Sequence, residues 1–204
     1  MADELGIFEV MYSNRAMRRI KPDEVPEALL RRLIEAANQA PTASNNQNTR
    51  WIIVRDADQK QKLADLNREA RLNAYGTPEP ATDPAMVRRQ AASKWHTENL
   101  QHVPAHFIAC IEFENQPPDT YRGGVGTGGS VWPAVQNLLL AARALGLGGV
   151  PTTLPLADRA AAKAVLGLPD NVEPFCLVPV GYPMGNFGPV TRKPIDEIMR
   201  WDRW

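Results

Sequence analysis

Only two cysteines and three histidines occur among 204 residues, too few thiols for a disulfide framework. No apolar run approaches the roughly 20 residues that cross a bilayer. The opening MADELGIFEVMYSNR carries acids where a secretory leader has bases. Surplus charge is missing too: 23 Lys and Arg balance 23 Asp and Glu, so no global field draws the chain to nucleic acid or an anionic membrane. These absences predict a cytoplasmic protein with no nucleic-acid and no membrane partner. Internal repeats, low-complexity stretches and linkers are absent as well, so residues 1–204 are expected to form one domain.

What is plentiful is punctuation, with 18 prolines and 14 glycines. Residues 2–12 alternate acids with apolar groups and predict a short amphipathic helix. In EVPEALLRRLIEAANQA, Leu29, Leu30, Leu33, Ala36, Ala37 and Ala40 recur at steps of three and four, with Pro26 near the start and Pro41 as the stop. WIIVR (51–55) reads as a strand, 57–73 as a charged helix, 76–84 as a loop and 85–101 as a helix. HFIACIEF (106–113) is apolar without alternation, the pattern of a strand buried on both faces. SVWPAVQNLLLAARALGLG predicts a helix apolar around most of its circumference, which belongs in a core or at a subunit interface. GVPTTL is a short strand or turn, LADRAAAKAVLGL a helix and FCLVPVGY a third strand. The tail, residues 183–204, reads as an extended arm packed over another surface, with Trp201 and Trp204 as its anchors.

Several familiar chemistries are excluded by spacing. Gly124, Gly126 and Gly129 fit G-x-G-x-x-G, but NQPPDTYR separates them from the nearest strand. No acid lies between Asp119 and Asp158, where a dinucleotide fingerprint needs one about 20 residues on. The run reads as a loop leading into a helix near Ser130, with Pro133 in its first turn. Ser130 lies in no G-x-S-x-G elbow. Cys110 and Cys176 sit in strand-like apolar runs, as buried thiols do. His96, His102 and His106 lack metal-ligand spacing and read as surface or helix-end residues, so no metal is expected.

SNRAMRRIKPDEVP places Arg15, Arg18 and Arg19 within five residues. Such a cluster is commonly a solvated surface, yet the guanidinium fork is also the preferred partner of a phosphate. With its neighbours it resembles the opening of the FMN-dependent nitroreductase family, R-S-x-R-x-F-x-P-D. APTASNNQNTRWIIV is similar to that family's A-P-S-G-x-N-x-Q-P-W-x-F block and the strand after it. AVQNLLLAARALGLGGVPT resembles its long central helix and glycine-rich turn, and VPVGYP with TRKPIDEIMRWDRW its last strand, R-K-P-x-x-E motif and tail. The four blocks run in order over residues 15–204.

The resemblance implies an α+β three-layer fold, a central and mainly antiparallel sheet flanked by helices, in an intertwined homodimer with FMN at the subunit interface. Arg15 would contact the FMN phosphate and Arg192 close on it from the tail. Ala16 replaces a serine whose hydroxyl helps the phosphate, so that contact is lost or reduced to its backbone N–H, and Met17 would approach with its backbone. Arg18 would face the pyrimidine edge of the flavin, where a cation stabilises the charge of the reduced ring. Asn45 and Gln47 match the pair that hydrogen-bonds the ring and ribityl region, while Asn48 and Thr49 replace the usual Pro-Trp. Pro151, Thr152, Thr153 and Leu154 match the turn whose backbone N–H faces flavin N5, with Thr153 in place of a glutamate. The implied reaction is ping-pong: NADH or NADPH reduces FMN, and a small-molecule electron acceptor such as a nitroaromatic, quinone or enone then reoxidises it. No catalytic side chain is required. The alternatives are reductive dehalogenation or flavin modification on the same scaffold, and FMN sequestration without turnover.

Overall fold

The computed structural model describes residues 5–115 and 128–204. Its centre is a sheet of four strands, β1 (Thr49–Val54), β2 (Ala105–Glu112), β3 (Gly148–Gly149) and β4 (Val172–Gly181), in the order β1-β2-β4-β3. Every neighbouring pair is antiparallel. The helices are α1 (Ile7–Ser13), α2 (Glu27–Ala37), α3 (Ala57–Tyr75), α4 (Pro84–Asn99), α5 (Val131–Ala144), α6 (Arg159–Leu166) and α7 (Ile195–Ile198).

The unbroken apolarity of β2 has the expected cause. Ala105, Phe107, Ala109 and Ile111 pack with α2 and α5, whereas Ile108 and Cys110 pack with α3 and α6 on the other face. Three layers result, and a fully buried side chain such as Phe107 contributes about 1.5–3 kcal/mol against leaving it in water. For α5 the structure favours the core: Ala134, Val135, Leu138 and Ala142 are buried against the sheet and α2. The thiols separate across the sheet. Cys110 belongs to the α3/α6 side and Cys176 to the α2/α5 side, both free and buried. Burial pushes each thiol up to about 12.

Local chemistry sets the helix starts. Asp56 accepts from the Gln59 N–H at 2.8 Å, Asp83 from Met86 at 2.7 Å and Asp158 from Ala161 at 2.9 Å, each supplying an acceptor to an orphan first-turn donor. One charged group lies deep in the interior. Glu173 on β4 is fully buried and accepts from Arg159 Nε and Nη2 and, at 2.9 Å, from Lys163 Nζ. Burial alone would raise its carboxyl, but the hydrogen bonds from Arg159 and Lys163 outweigh that and hold it below the usual range.

Past β4 the chain turns back along its own amino-terminal segment. Lys21 N–H donates to Tyr182 O at 2.8 Å, Met184 N–H to Arg19 O at 2.9 Å and Val190 N–H to Tyr12 O at 3.1 Å. Two glycines let this ribbon press on the sheet end. A Cβ at Gly148 would stand 2.7 Å from Met17 Cβ, and one at Gly181 2.6 Å from Ile20 Cγ2. Residues 191–204 are exposed throughout. The expected anchoring role of the tryptophans is not met within the chain: Trp201 is 79% exposed and Trp204 103%. Among the described residues no helix is long and apolar enough to cross a membrane.

Candidate functional site

The arginine segment follows α1 and lies across the sheet end. Met17 N–H donates to Gly149 O at 3.1 Å, and Met17 and Ile20 are buried against Val103. This clamps the backbone of residues 17–20, leaving Arg15 and Ala16 exposed and Arg18 half-buried. Arg192, two residues beyond the Tyr12–Val190 bond, is exposed as well. Among the described residues no carboxylate lies within ion-pair distance of Arg15, Arg18 or Arg192. Burial lowers the Arg18 guanidinium from its ordinary value. Arg143, at the end of α5, ties the two termini together: its Nε donates to Ser13 Oγ at 2.8 Å and its guanidinium lies 4.3 Å from the Phe187 ring centre.

The turn at 151–154 adjoins that segment through β3. Thr152 is already committed, since its N–H donates to Leu177 O at 2.8 Å and its carbonyl accepts from Leu177 N–H at 2.9 Å. Pro151 has no N–H. The donors left for a ligand are those of Thr153, which is exposed, and Leu154.

Asn45 and Gln47 lie in a separate group. Ser44, Asn45 and Gln47 have φ of 51°, 54° and 47°, three non-glycine residues in the left-handed region within four positions. Such backbone is costly and collects at ligand clamps. Side-chain hydroxyls help hold it: Gln47 N–H donates to Thr42 Oγ1 at 3.0 Å, and Ala43 N–H to Ser130 Oγ at 3.0 Å. Ser130 and Ser44 were missed by sequence reasoning. A serine at a helix start signals a cap, yet here the hydroxyl leaves its own helix and serves the neighbouring loop. Among the described residues no hydrogen bond joins this loop to residues 15–18 or 151–154.

Clefts lie near β1 among the described residues. One of about 740 Å³ includes Asn46, Asn48, Arg50, Glu112 and Asn171. Another, about 450 Å³, has Leu30, Ile34, Trp51 and Ile53 between Glu27, Arg31 and Arg55. Neither is lined by Arg15, Arg18 or Arg192. Gly124 and Gly126 lie outside the described residues, while α5 starts at Val131, after Ser130.

The histidines depart from expectation. Only His102 is exposed; His96 on α4 is buried, as is His106 on β2. His106 Nε2 bonds the Leu100 carbonyl at 2.9 Å. Burial, and the nearby cations Arg18 and Arg71, push His96 down to about 4. The Arg18 backbone pulls the other way, although no ring nitrogen of His96 reaches a hydrogen bond of normal geometry. Burial likewise drives His106 to about 4. Both sit next to apolar residues that gave their segments a core-facing side, a signal outweighed by polarity in the sequence reasoning. Among the described residues no three His, Cys, Asp or Glu side chains gather as metal ligands do.

The sequence profile of the nitroreductase family matches residues 12–182. An NADH dehydrogenase of Thermus thermophilus is 32% identical, over 92% of this chain and 91% of its own. An iodotyrosine deiodinase of Thermotoga neapolitana is 25% identical, over 87% of this chain and 88% of its own. The crystal structure of an oxidized iodotyrosine deiodinase bound to FMN and 3-iodo-L-tyrosine superposes with a TM-score of 0.76 at 23% identity, covering 98% of this chain and 100% of the other.

Proposed function

The chain belongs to the nitroreductase family, and from that premise we propose that it is an FMN-dependent NAD(P)H oxidoreductase, active as a homodimer, that passes electrons to a small acceptor. Bound FMN would supply the redox chemistry, taking a hydride from NADH or NADPH and yielding it to an acceptor that enters after the nucleotide has left. The observation that carries the reading is the set of acid-free arginines at converging termini. In a chain of balanced charge, the exposed Arg15 and Arg192 and the half-buried Arg18 have no carboxylate partner among the described residues. An anion is the missing complement.

Each residue then has a task. Arg15 and Arg192 hold a phosphate by charge-assisted hydrogen bonds, with the Ala16 and Met17 backbone beside them. Because Met17 N–H is already bonded to Gly149, Met17 shapes the site by packing, and Ala16 is left with the free amide. Arg18 would set a cation at the electron-accepting edge of the bound ring, and Thr153 and Leu154 would offer it their N–H groups. Asn45 and Gln47, held by left-handed backbone, offer donors and acceptors to the mixed polar edge of a flavin. The separation of their loop from the arginine segment supports a site built by two copies. So does the exposed apolar face of α1, with Phe8 67% and Tyr12 66% exposed, alongside the unsupported arm. A large apolar patch of this kind on a soluble chain marks an interface.

A second reading, reductive removal of a halogen from an aromatic substrate, is favoured by the similarity to iodotyrosine deiodinase. One experiment separates the readings. Protein reconstituted with FMN is reduced anaerobically by NADPH or NADH, then mixed in stopped flow with a nitroaromatic, a quinone or an iodophenol. Fast reoxidation by the first two supports the reductase, and fast iodide release the second reading. A yellow protein that neither nucleotide bleaches would point to sequestration and sink both.

A further inference from the structure

Arg143 has no task in the scheme above, yet it grips both segments that carry the phosphate arginines. It leaves the last turn of α5, where Leu139 and Ala142 are packed into the core, so its base is fixed. Its Nε donates to Ser13 Oγ at 2.8 Å, at the end of α1. That hydroxyl spends its own proton on Glu9 O at 2.6 Å, which leaves its lone pairs for the guanidinium. The guanidinium carbon lies over the Phe187 ring, 4.3 Å from its centre. Phe187 packs in turn against the cluster of Met17, Ile20 and Val103.

These contacts bracket the two arginines. Arg15 rides on the short span between Ser13, held by Arg143, and Met17, whose N–H is held by Gly149 O at 3.1 Å. Arg192 follows the stretch from Phe187 to Val190, the first held by Arg143 and the second by Tyr12 O. A lysine could not perform both tasks, because only a guanidinium offers a donating edge and a flat face at once. Both partners are neutral, and among the described residues no carboxylate pairs with Arg143. A carboxylate in the clasp would set a negative charge beside an anion site. A hydroxyl and a ring face hold the guanidinium and leave its field intact.

We propose that Arg143 is a positioning residue for cofactor recognition. By clasping Ser13 and Phe187 it holds Arg15 and Arg192 at the spacing that one phosphate requires, and so gives the site its preference for a phosphorylated flavin. The inference rests on the reading that Arg15 and Arg192 hold the FMN phosphate.

The test compares dissociation constants of FMN and riboflavin, which differ only by the phosphate, measured by flavin fluorescence on the full chain freed of flavin. Arg15→Ala should erase most of the preference for FMN; an unchanged preference overturns the phosphate reading and the inference with it. Given that loss, Arg143→Met, which keeps the length of the stem, should weaken FMN about tenfold and leave riboflavin within about twofold. Arg143→Lys, which keeps the charge but not the fork, should lose nearly as much. Equal weakening of both flavins marks a merely structural residue, and a lysine variant with full preference marks a remote charge. Either result, or an unchanged preference in Arg143→Met, overturns the role of Arg143 alone. Ser13→Ala removes a single oxygen and supplies a reading even where the Arg143 variants fail to fold. It should cut the FMN preference by about threefold or more, and add little to the loss in Arg143→Met. A preference that Ser13→Ala leaves untouched, or losses that simply add, contradict the clasp.

Discussion

The backbone N–H of Val190 donates to the carbonyl oxygen of Tyr12 over 3.1 Å, fastening the carboxy-terminal segment beside the amino-terminal one. Arg192 lies two residues beyond that bond and Arg15 three, so this main-chain contact, with those of Lys21 to Tyr182 and Met184 to Arg19, holds two guanidinium-bearing segments as neighbours. Charge-assisted hydrogen bonds each contribute about 1.5–3 kcal/mol. Arg15→Ala with Arg192→Ala should therefore weaken FMN binding by about a hundredfold or more. Flavin fluorescence quenching measures this, and the far-UV dichroism and thermal midpoint of the apoprotein should be unchanged.

Gly148→Ala tests the seating of the arginine segment. The added methyl would meet Met17 Cβ at 2.7 Å, and overpacking of this kind costs about 1–3 kcal/mol. Urea denaturation should show that loss, and Met17→Ala in the same chain should relieve part of it. An undisturbed midpoint would mean that the segment moves aside freely.

Glu173→Gln leaves Arg159 and Lys163 without their shared anion. Breaking a buried ion pair costs about 3–5 kcal/mol, and the lower figure is expected because Arg159 keeps access to water. The carboxyl is held below its ordinary 4.5. Its contribution is therefore complete above that value and disappears as pH falls through the lower, folded-state one. The stability gap between wild type and variant, measured by urea unfolding, should be constant near neutrality and narrow only in acid below about 4.5.

The histidines act over a different window. Both are lowered from 6.5 to about 4, so between those values the unfolded chain binds protons that the folded one refuses. Stability should be level above pH 7, and each ring should add a loss of about 1.4 kcal/mol per pH unit as pH falls from 6.5 toward 4. Denaturation midpoints across that range check it, and a variant lacking either ring should show a shallower slope.

Much of the architecture was legible because its signals are local. The i, i+3, i+4 pattern of Leu30 and Leu33 and the solid apolar run of β2 each dictate an element and the face it buries. The aspartate caps at positions 56, 83 and 158 obey the same kind of rule. What stayed hidden depends on partners distant in sequence. Ser130 serves Ala43 across 87 positions, and nothing near either residue announces it. The need for glycine at 148 arises from Met17 on another segment. His96 and His106 looked like surface groups because polarity is the stronger local signal, whereas their burial is set by how α3, α4 and β2 close on one another. The commitment of Thr152 N–H to Leu177 likewise appears only once β4 is in place, and it narrows the candidate donors of that turn to Thr153 and Leu154.

The two cysteines give the protein a pair of internal clocks. A sulfhydryl reagent attacks only the thiolate, and at neutral pH almost none forms on a thiol whose ionisation has been driven so far upward. Modification must wait for a layer to lift away. Cys110 reports the parting of α3 and α6 from the sheet, and Cys176 that of α2 and α5, so the two alkylation rates time the opening of opposite sides of the molecule independently.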